Sequence, residues 1–158
     1  MMIQIRRAEE ADLGGICEAH TRAIREVCSS HYTPAEIEAW AGRLFPGVHG
    51  EAIRSNEFFV AVEGSSILGF GQLNLETEEV RGVYVHPAAV RRGVGSLLVA
   101  ELERRARSAG LLKLHLDASL NSVSFYRHAG FQIDGHATHS FSGEVEIACV
   151  RMSKDLRA

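Results

Sequence analysis

One loop of this sequence combines two cations, two glycines and the start of a helix in a spacing suited to binding an anion. Gly93 and Gly95 have no Cβ, so the backbone there can bend and approach a ligand closely. The apolar spacing that follows predicts a helix from about Val94. Its first N–H groups would lack partners within the helix and lie at its positive end. Arg91 and Arg92 add positive charge beside them, so the loop predicts a pyrophosphate site built from backbone amides.

Two familiar phosphate loops do not match this stretch. A Walker A loop needs Lys followed by Ser or Thr after its glycines, and neither follows here. A dinucleotide fingerprint needs a third glycine at the position of Leu98. A glycine-containing turn ahead of an ordinary surface helix stays open as the simpler interpretation of this loop.

A second motif lies downstream, in the sequence ASLNSVSFYRHAGF of residues 118–131. Asn121 is predicted to cap a short helix over 122–129, because its side chain can accept a hydrogen bond from a free N–H of the first turn. Gly130 is predicted to end that helix in the left-handed conformation. Tyr126 adds a phenol, which carries a proton at neutral pH.

Together, the order strand-Pro-loop-Arg-Arg-Gly-Val-Gly-helix, then strand-Asn-x-x-x-Phe-Tyr-x-x-x-Gly-Phe, resembles the GNAT superfamily of acetyl-CoA-dependent N-acyltransferases. The resemblance extends over residues 3–156. It implies one α/β domain that moves an acetyl group from acetyl-CoA, its cosubstrate, to a primary amine of a small molecule or peptide. Val90 stands where the family often has Gln or Arg. This departure affects one polar contact but not the amides of the loop.

The resemblance also implies a set of functional residues. Tyr126 would protonate the leaving thiolate, and Asn121 would contact the pantetheine arm or its thiol as well as capping its helix. The alternative, that Tyr126 only packs the short helix, stays open. The cofactor-binding residues expected on this basis are Val83, Tyr84, Val85, Arg91, Arg92, Gly93, Val94, Gly95, Ser96, Asn121 and Tyr126.

Acetyl transfer needs a neutral amine, although a free alkyl amine has a pKa of about 10. It also needs a donor for the oxyanion, for which the predicted group is a backbone N–H near Tyr84 or Val85. The resemblance implies a glutamate base near the start of the strand that ends at His86, and a solvated turn is the alternative for this group of glutamates. Glu79 is preferred because strand alternation would put it on the same side as Arg81, Val83 and Val85. Loss of the proton to bulk water, without a dedicated base, is the alternative. The other candidates for the base are Glu76, Glu78, His115 and Asp117.

Two further groups of residues offer weaker signals. His20, Tyr32 and Trp40 fall in the first two predicted helices, where the resemblance implies the wall of the acceptor site and where helix packing is the alternative. His136 and His139 are three residues apart on a predicted strand and would point to opposite faces, so no metal site is predicted. The three cysteines lack a C-x-x-C spacing and are predicted to be reduced thiols.

The chain of 158 residues suits a single domain over 1–158, with 46% apolar residues and a net charge of −3. That charge argues against nucleic-acid binding. No long apolar run or signal-peptide pattern is present, so membrane insertion is not expected and the predicted location is cytoplasmic. A homodimer stays compatible with the sequence. A CoA-binding regulatory or sensor module and a protein-interaction domain are the alternative functions; Tyr126 and Asn121 favour the enzyme.

The predicted order of elements is β-α-α-β-β-β-α-β-α-β-β, an α/β fold with a mixed sheet and helices on both faces. A helix capped by Asp12 is predicted to reach Ser29, and a second, with Thr33 as N-cap and Glu36 at N3, is predicted to reach Leu44. Residues 45–56 are predicted as a connection. Arg105 is predicted to face water. The resemblance implies that the two central parallel strands splay apart and that the pantetheine arm lies in the gap.

Overall fold

Residues 2–141 and 143–157 are described by the computed structural model. They form a seven-stranded sheet in the order β1-β2-β3-β4-β5-β7-β6. The strands are β1 (Gln4–Arg7), β2 (Glu57–Glu63), β3 (Ser66–Asn74), β4 (Glu79–Val85), β5 (Lys113–Ser119), β6 (Gln132–Phe141) and β7 (Val145–Asp155). The α-helices are α1 (Leu13–Glu26), α2 (Pro34–Ala41), α3 (Gly50–Ser55), α4 (Val94–Ser108) and α5 (Val123–His128).

The predicted α/β fold, with its mixed sheet, is confirmed. Strands β1 to β4 pair in antiparallel order, β5 joins β4 in parallel, and β7 inserts between β5 and β6. Helix α3 lies within the predicted connection and is an addition to the predicted order. At six residues it is too short to show a helical period in the sequence.

The central parallel pair separates almost at once, as expected. The only paired residues of β4 and β5, both fully described, are Glu79 and His115, and the His115 N–H donates to the Glu78 carbonyl over 3.1 Å. Strand β5 instead pairs with β7 along its whole length, from Lys113 to Ser119. The ladder with β7 holds β5 away from β4 and leaves a gap between the ends of the two strands.

Helices cover both faces of the sheet, as predicted. Helix α4 buries Leu98 and Leu102 against one face, among strand residues such as Leu114. Helix α1 buries Ile16 on the other face, in a cluster with Phe70. These clusters divide the molecule into an α4 side and an α1 side, and each strand alternates its side chains between them.

The alternation is interrupted on β4. Gln72 of β3 pairs with Gly82, but the next residue of β3 pairs with Val80, so Arg81 is an extra residue in a β-bulge. The bulge reverses the side on which the first residues of β4 lie. The prediction that Glu79 shares a side with Val83 is therefore wrong, because strand alternation holds only where the ladder is regular.

Helix ends follow the sequence in part. Thr33 forms the predicted capping box with Glu36, but α2 ends at Ala41 rather than Leu44. Helix α1 ends at Glu26 rather than Ser29, and the side chain of Asp12 does not cap it. That carboxylate accepts two hydrogen bonds from Arg6, at 2.8 and 3.0 Å, and this ion pair outcompetes the helix terminus.

The prediction that Arg105 faces water is also wrong. Its guanidinium donates to the carboxylate of Glu57, which is buried and also pairs with Arg7 at 2.7 Å. Two cations compensate the burial of this one carboxylate between α4 and the sheet.

Within the described residues, none of the helices is long and apolar enough to cross a membrane.

Candidate active site

The gap beside β4 leaves backbone groups free on one edge of the strand. His86 donates its N–H to the Leu68 carbonyl over 2.8 Å, and therefore faces β3. Because backbone groups alternate along a strand, Tyr84 faces β3 as well, whereas Val83 and Val85 face the gap. Strand β5 does not pair with either valine. Their N–H and C=O groups can therefore bind a ligand, while Tyr84 can contribute only its side chain.

The side chain of Tyr84 lies on the α1 side of the sheet. Its ring packs against His20 and Phe70, at centroid distances of 4.1 and 5.6 Å. Burial, then the neighbouring Cys28 and Tyr126, raises the pKa of the Tyr84 phenol well above its usual value. The hydroxyl therefore keeps its proton at neutral pH.

The predicted anion loop has the expected backbone shape. Gly93 is the N-cap of α4, with φ of +78°, and a Cβ on it would meet nothing within 4 Å. Its backbone conformation rather than lack of space therefore requires glycine. Arg91 also has a positive φ, of 65°, which is unfavourable for a residue with a side chain. Such strained residues cluster at ligand sites.

The start of α4 offers three N–H groups. The first helical hydrogen bond of α4 runs from the Leu97 N–H to the Gly93 carbonyl, at 3.1 Å. The N–H groups of Val94, Gly95 and Ser96 therefore have no acceptor within the helix. All three belong to the predicted pyrophosphate site, and the helix dipole adds to their attraction for an anion.

The two arginines of the loop differ in their surroundings. Arg92 forms an ion pair with Glu63 of β2, at 2.5 Å, which holds the pKa of that carboxyl below its usual value. Arg91 has no carboxylate within 4.0 Å among residues 2–141 and 143–157. Its charge is therefore available to an anion, whereas Arg92 would have to leave Glu63.

Gly95 has a packing role that the sequence did not indicate. A Cβ on Gly95 would lie 3.0 Å from two ring carbons of Phe125. The missing side chain therefore lets α4 approach α5. The backbone of Gly95 was expected to approach a ligand closely, but in this structure it approaches the ring of Phe125.

The predicted helix cap at Asn121 is wrong. Asn121 lies inside a 3-10 turn, Leu120–Ser122, and Ser122 is the residue that precedes α5. The Oδ1 of Asn121 is buried and accepts no hydrogen bond from any described residue. Leaving such an oxygen unpaired costs about 1–3 kcal/mol. An amide N–H of a pantetheine arm would satisfy it, so this residue fits the expected cosubstrate.

Tyr126 is compatible with both of its predicted roles. Only 5% of the residue is exposed, and its ring packs edge-on against Phe125 and Phe131 at 5.1 and 5.7 Å. Its hydroxyl forms no hydrogen bond with another described residue. Burial raises the pKa of this phenol, which keeps a proton on it for donation.

A cavity of about 840 Å³ opens on the α1 side of the sheet. Helices α1, α2 and α3 form one wall and the ends of β4 to β7 form the other. We call it the α1-side cleft. It is lined by His20, Tyr32, Trp40, Arg43, Leu44, Val48, His49, Glu51, Ala52, Ser55, Asn56, Gln72, Asn74, Glu79, Val80, Arg81, Tyr84, Asp117, Ser119, His139, Phe141, Ile147, Ala148 and Cys149.

Glu79 lines this cleft, whereas Glu76 and Glu78 do not. Its side chain is 27% exposed, and its carboxylate lies 3.6 Å from the Nε of Arg81. The bulge at Arg81 thus turns Glu79 toward the cleft and away from the side chains of the valines on the α4 side. A carboxylate there can accept a proton from a molecule in the cleft.

The arrangement of strands, gap and glycine loop is that of a known family. A model of the acetyltransferase (GNAT) family matches residues 17–131. The chain belongs to the GNAT acetyltransferase family. This confirms the predicted family and the class of enzyme.

Related sequences agree with this assignment. An N-acetyltransferase of Escherichia coli (strain K12), YafP, whose function is uncharacterized, is 29% identical over 130 residues, covering 82% of this chain and 81% of that protein. A spermidine N(1)-acetyltransferase of Thermoplasma acidophilum is 26% identical over 146 residues, covering 85% and 91%.

Solved structures share the fold. A GCN5-related N-acetyltransferase from Rhodopseudomonas palustris has a TM-score of 0.88 and 25% identity, covering 98% of each chain. A PaiA N-acetyltransferase from Thermoplasma acidophilum, solved in complex with coenzyme A, has a TM-score of 0.81 and 23% identity, covering 98% of this chain and 99% of that one.

The GNAT chain has a second basic group in the cleft that sequence reasoning did not select. His139 contacts Asp117 through its Nε2, at 2.8 Å from Oδ2. The rival candidate His115 instead contacts the Thr77 carbonyl, outside the cleft lining. Strand alternation correctly indicated that His136 and His139 face opposite sides of the sheet. It could not indicate that β7 inserts between β5 and β6, and this insertion brings His139 toward Asp117.

Cys149 lies beside this pair. Its sulfur, the His139 nitrogen and the Asp117 oxygen are within 4.8 Å of one another, a grouping that could hold a metal ion. Burial, followed by the Asp117 charge, raises the pKa of the thiol, and the Arg151 guanidinium lies 3.7 Å from the same carboxylate. A protonated thiol and a nearby cation both oppose metal binding, so the absence of a metal stays our prediction for this chain.

Proposed function

We propose that this GNAT enzyme acetylates a primary amine of a small molecule or peptide, with acetyl-CoA as the donor. The observation that supports it best is the gap beside β4, where β5 pairs with Glu79 alone. The anion loop lies at the end of β4, and the α1-side cleft begins at Glu79. The donor and the acceptor would therefore meet at the gap from two sides of the sheet.

The donor would be held mainly by backbone groups. The amides of Val94 to Ser96 and the guanidinium of Arg91 suit its pyrophosphate, since they are the groups of the loop without partners. The N–H and C=O groups of Val83 and the C=O group of Val85 would pair with the pantetheine arm as a neighbouring strand would. Asn121 would accept a hydrogen bond from an amide of that arm. Acetyl-CoA supplies a thioester carbonyl that is open to attack by an amine.

Three groups of this chain would then act on protons and charge. Glu79 accepts the proton that the amine must lose before or during its attack on the carbonyl carbon. The Val85 N–H, which faces the gap, donates to the oxygen on which negative charge develops. When the carbon–sulfur bond breaks, Tyr126 donates its proton to the leaving sulfur. The products are the N-acetylated amine and CoA.

The proposal is tested by following thiol release from acetyl-CoA in the presence of a panel of amines. Acceptor-dependent release, with loss of the signal in a reaction without protein, is the expected result. Binding of acetyl-CoA without release for any amine would instead favour the alternative, a CoA-binding regulatory or sensor module. A thermal melt with acetyl-CoA, CoA and NAD separates the two cases from a chain that binds no nucleotide. At 100-fold excess over Kd, a bound ligand raises the free energy of unfolding by about 2.7 kcal/mol.

A further inference from the structure

The cations that line the α1-side cleft are not equivalent. Arg81 lies 3.6 Å from Glu79, whereas Arg43 has no carboxylate within 4.0 Å among the residues that the structure describes. Glu51 lines the same cleft but forms no ion pair with Arg43. Arg43 is therefore a cleft cation whose charge is left for something that enters the cleft.

The guanidinium of Arg43 is already positioned. Its Cζ lies 4.7 Å from the centroid of the Phe141 ring, and Phe141 in turn stacks with Trp40 at 6.4 Å. Stacking on an aromatic face holds the planar group while its N–H edges stay free for hydrogen bonds. That geometry suits a carboxylate or a phosphate, which accept two parallel N–H bonds from arginine.

The charge of Arg43 also reaches the interior of the cleft. The pKa of His49 is lowered mainly by burial and next by the charge of Arg43. The pKa of His20 is lowered mainly by burial, then by His49 and then by Arg43. The two imidazoles contact each other at 3.0 Å and are held neutral, so they do not compete with Arg43 for an anion. The acidic residues that line the cleft are Glu51 on α3, Glu79 on β4 and Asp117 on β5, and none of them pairs with Arg43.

The positions of these charges indicate the size of the acceptor. The amine must reach the gap between β4 and β5, whereas Arg43 lies over Phe141 at the end of β6. Strand β7 separates β5 from β6, so the end of β6 lies two strand spacings, or about 10 Å, from β5 and farther still from the gap on the other side of β5. In an α-amino acid the carboxylate and the amine are attached to the same carbon. Even if the side chain of Arg43 bends inward, such a molecule is too short to reach Arg43 and the gap at once.

We propose that Arg43 binds an anionic group of the acceptor, which is a primary amine bearing a carboxylate or phosphate several atoms away. The inference depends on the proposed function for its amine, and it adds the class of acceptor. The cleft then orients the acceptor from both ends. Arg43 holds the anion, and Glu79 receives the proton of the amine at the gap.

Three matched probes test this proposal: 6-aminohexanoate, its amide, which keeps the amine but lacks the negative charge, and 6-aminohexyl phosphate. Calorimetric titration in the presence of CoA measures their binding without requiring turnover. We expect the two anionic probes to bind at least about 10-fold more tightly than the amide, as a charged bidentate contact would give. Preference for one of the two anions identifies whether the acceptor carries a carboxylate or a phosphate.

Arg43→Gln should remove that difference by weakening the anionic probes about 10- to 100-fold and leaving the amide unchanged. Arg43→Lys keeps the charge and should restore part of it. Arg104→Gln is the matched control, since Arg104 is an exposed arginine on the α4 side that pairs with Glu101. In acetylation assays the loss should appear in KM rather than kcat.

Equal binding of the anionic probes and the amide, or no binding of any probe, would overturn the role of Arg43. So would an Arg43→Gln protein that keeps the preference for anions. Absence of acetylation with intact, Arg43-dependent binding would contradict the proposed enzymatic function and leave the anion site supported.

Discussion

Glu79 and Val83 belong to the same short strand but serve opposite sides of the sheet, because Arg81 is an extra residue between them in the β3–β4 ladder. Glu79 lines the α1-side cleft, whereas the side chain of Val83 packs against the α4-side core. Without the bulge, the carboxylate would point into the α4-side core rather than toward an acceptor. The bulge therefore places the proposed base, Glu79, and the side chain of Val83, which is proposed to bind the cosubstrate through its backbone, on opposite sides of one seven-residue strand.

Replacing Gly93 tests the anion loop. Gly93→Val forces a branched side chain into the left-handed conformation and puts bulk beside the amides of the loop. We expect a loss of stability of about 1–2 kcal/mol and a loss of CoA affinity of at least about 10-fold. Calorimetric titration and thermal melts measure the two effects.

Gly110 provides a matched control for that substitution. It follows the other end of α4 with φ of +82°, and a Cβ on it would also meet nothing within 4 Å. Gly110→Val should lower the melting temperature to a similar extent but leave CoA affinity unchanged. If both variants bind CoA like the original chain, the loop is a turn without a role in binding.

Tyr126→Phe tests the general acid. The substitution keeps the ring between Phe125 and Phe131 and removes only the hydroxyl, which carries the proton to be donated. We expect kcat to fall about 100-fold or more, with little change in CoA affinity or melting temperature. Steady-state kinetics with an accepted amine measures the effect. Turnover close to that of the original chain would leave Tyr126 with packing alone.

Tyr32 is the control for removing a hydroxyl. Its OH donates to the Ala148 carbonyl at 2.6 Å and accepts from the Leu120 N–H at 2.9 Å. Tyr32→Phe leaves both groups unpaired and should lower stability by about 1–3 kcal/mol. Tyr126→Phe should therefore lower kcat with little change in the melting temperature, whereas Tyr32→Phe should lower the melting temperature.

Glu79→Gln tests the base. If the carboxylate accepts the amine proton, kcat/KM should fall most near neutral pH, and the loss should shrink as rising pH deprotonates the free amine. The pH–rate profiles of the two proteins measure this, beside their melts. His139→Gln gives the comparison, since His139 also lines the cleft and its imidazole contacts the Asp117 carboxylate. A pH-dependent loss in His139→Gln alone would move the role of base from Glu79 to the His139–Asp117 pair.

The buried His20 makes stability depend on pH. Burial, with the nearby His49 and Arg43, lowers the pKa of His20 from 6.5 to about 3. In the unfolded chain the His20 imidazole binds a proton below pH 6.5, whereas in the folded chain it does so only below about pH 3. The free energy of unfolding therefore decreases as the pH falls from 6.5 to 3. Between pH 6.5 and pH 5 the loss should reach about 2 kcal/mol, at about 1.36 kcal/mol per unit.

Chemical denaturation at pH 7 and pH 5 measures that loss. His20→Gln, which cannot titrate, should show a smaller change in the free energy of unfolding between the two pH values. An equal change in both proteins would mean that His20 does not cause the acid sensitivity. His49 is the next group to test, because burial lowers its pKa as well.

Local signals accounted for the features that depend on a few neighbouring residues. The start of α4 at Val94, the left-handed Gly130 after α5 and the capping box of Thr33 were all predicted, because each is set by the conformational limits of one or two residue types. Asn121 was assigned as a cap on the same logic, and that was wrong. The turn Leu120–Ser122 moved the helix start by one residue, to Val123, and left the Oδ1 of Asn121 buried.

The sequence by itself thus determined the family, the order of the strands and of the helices other than α3, and the backbone shape of the glycine loop, since these follow from short motifs and from the period of apolar residues. Only the tertiary structure decided which side each functional group faces. The bulge at Arg81, the insertion of β7 beside β5 and the stacking of Arg43 on Phe141 all depend on pairing between distant segments. Such pairing sets the register of a strand, and a shift of one residue reverses every side chain on it.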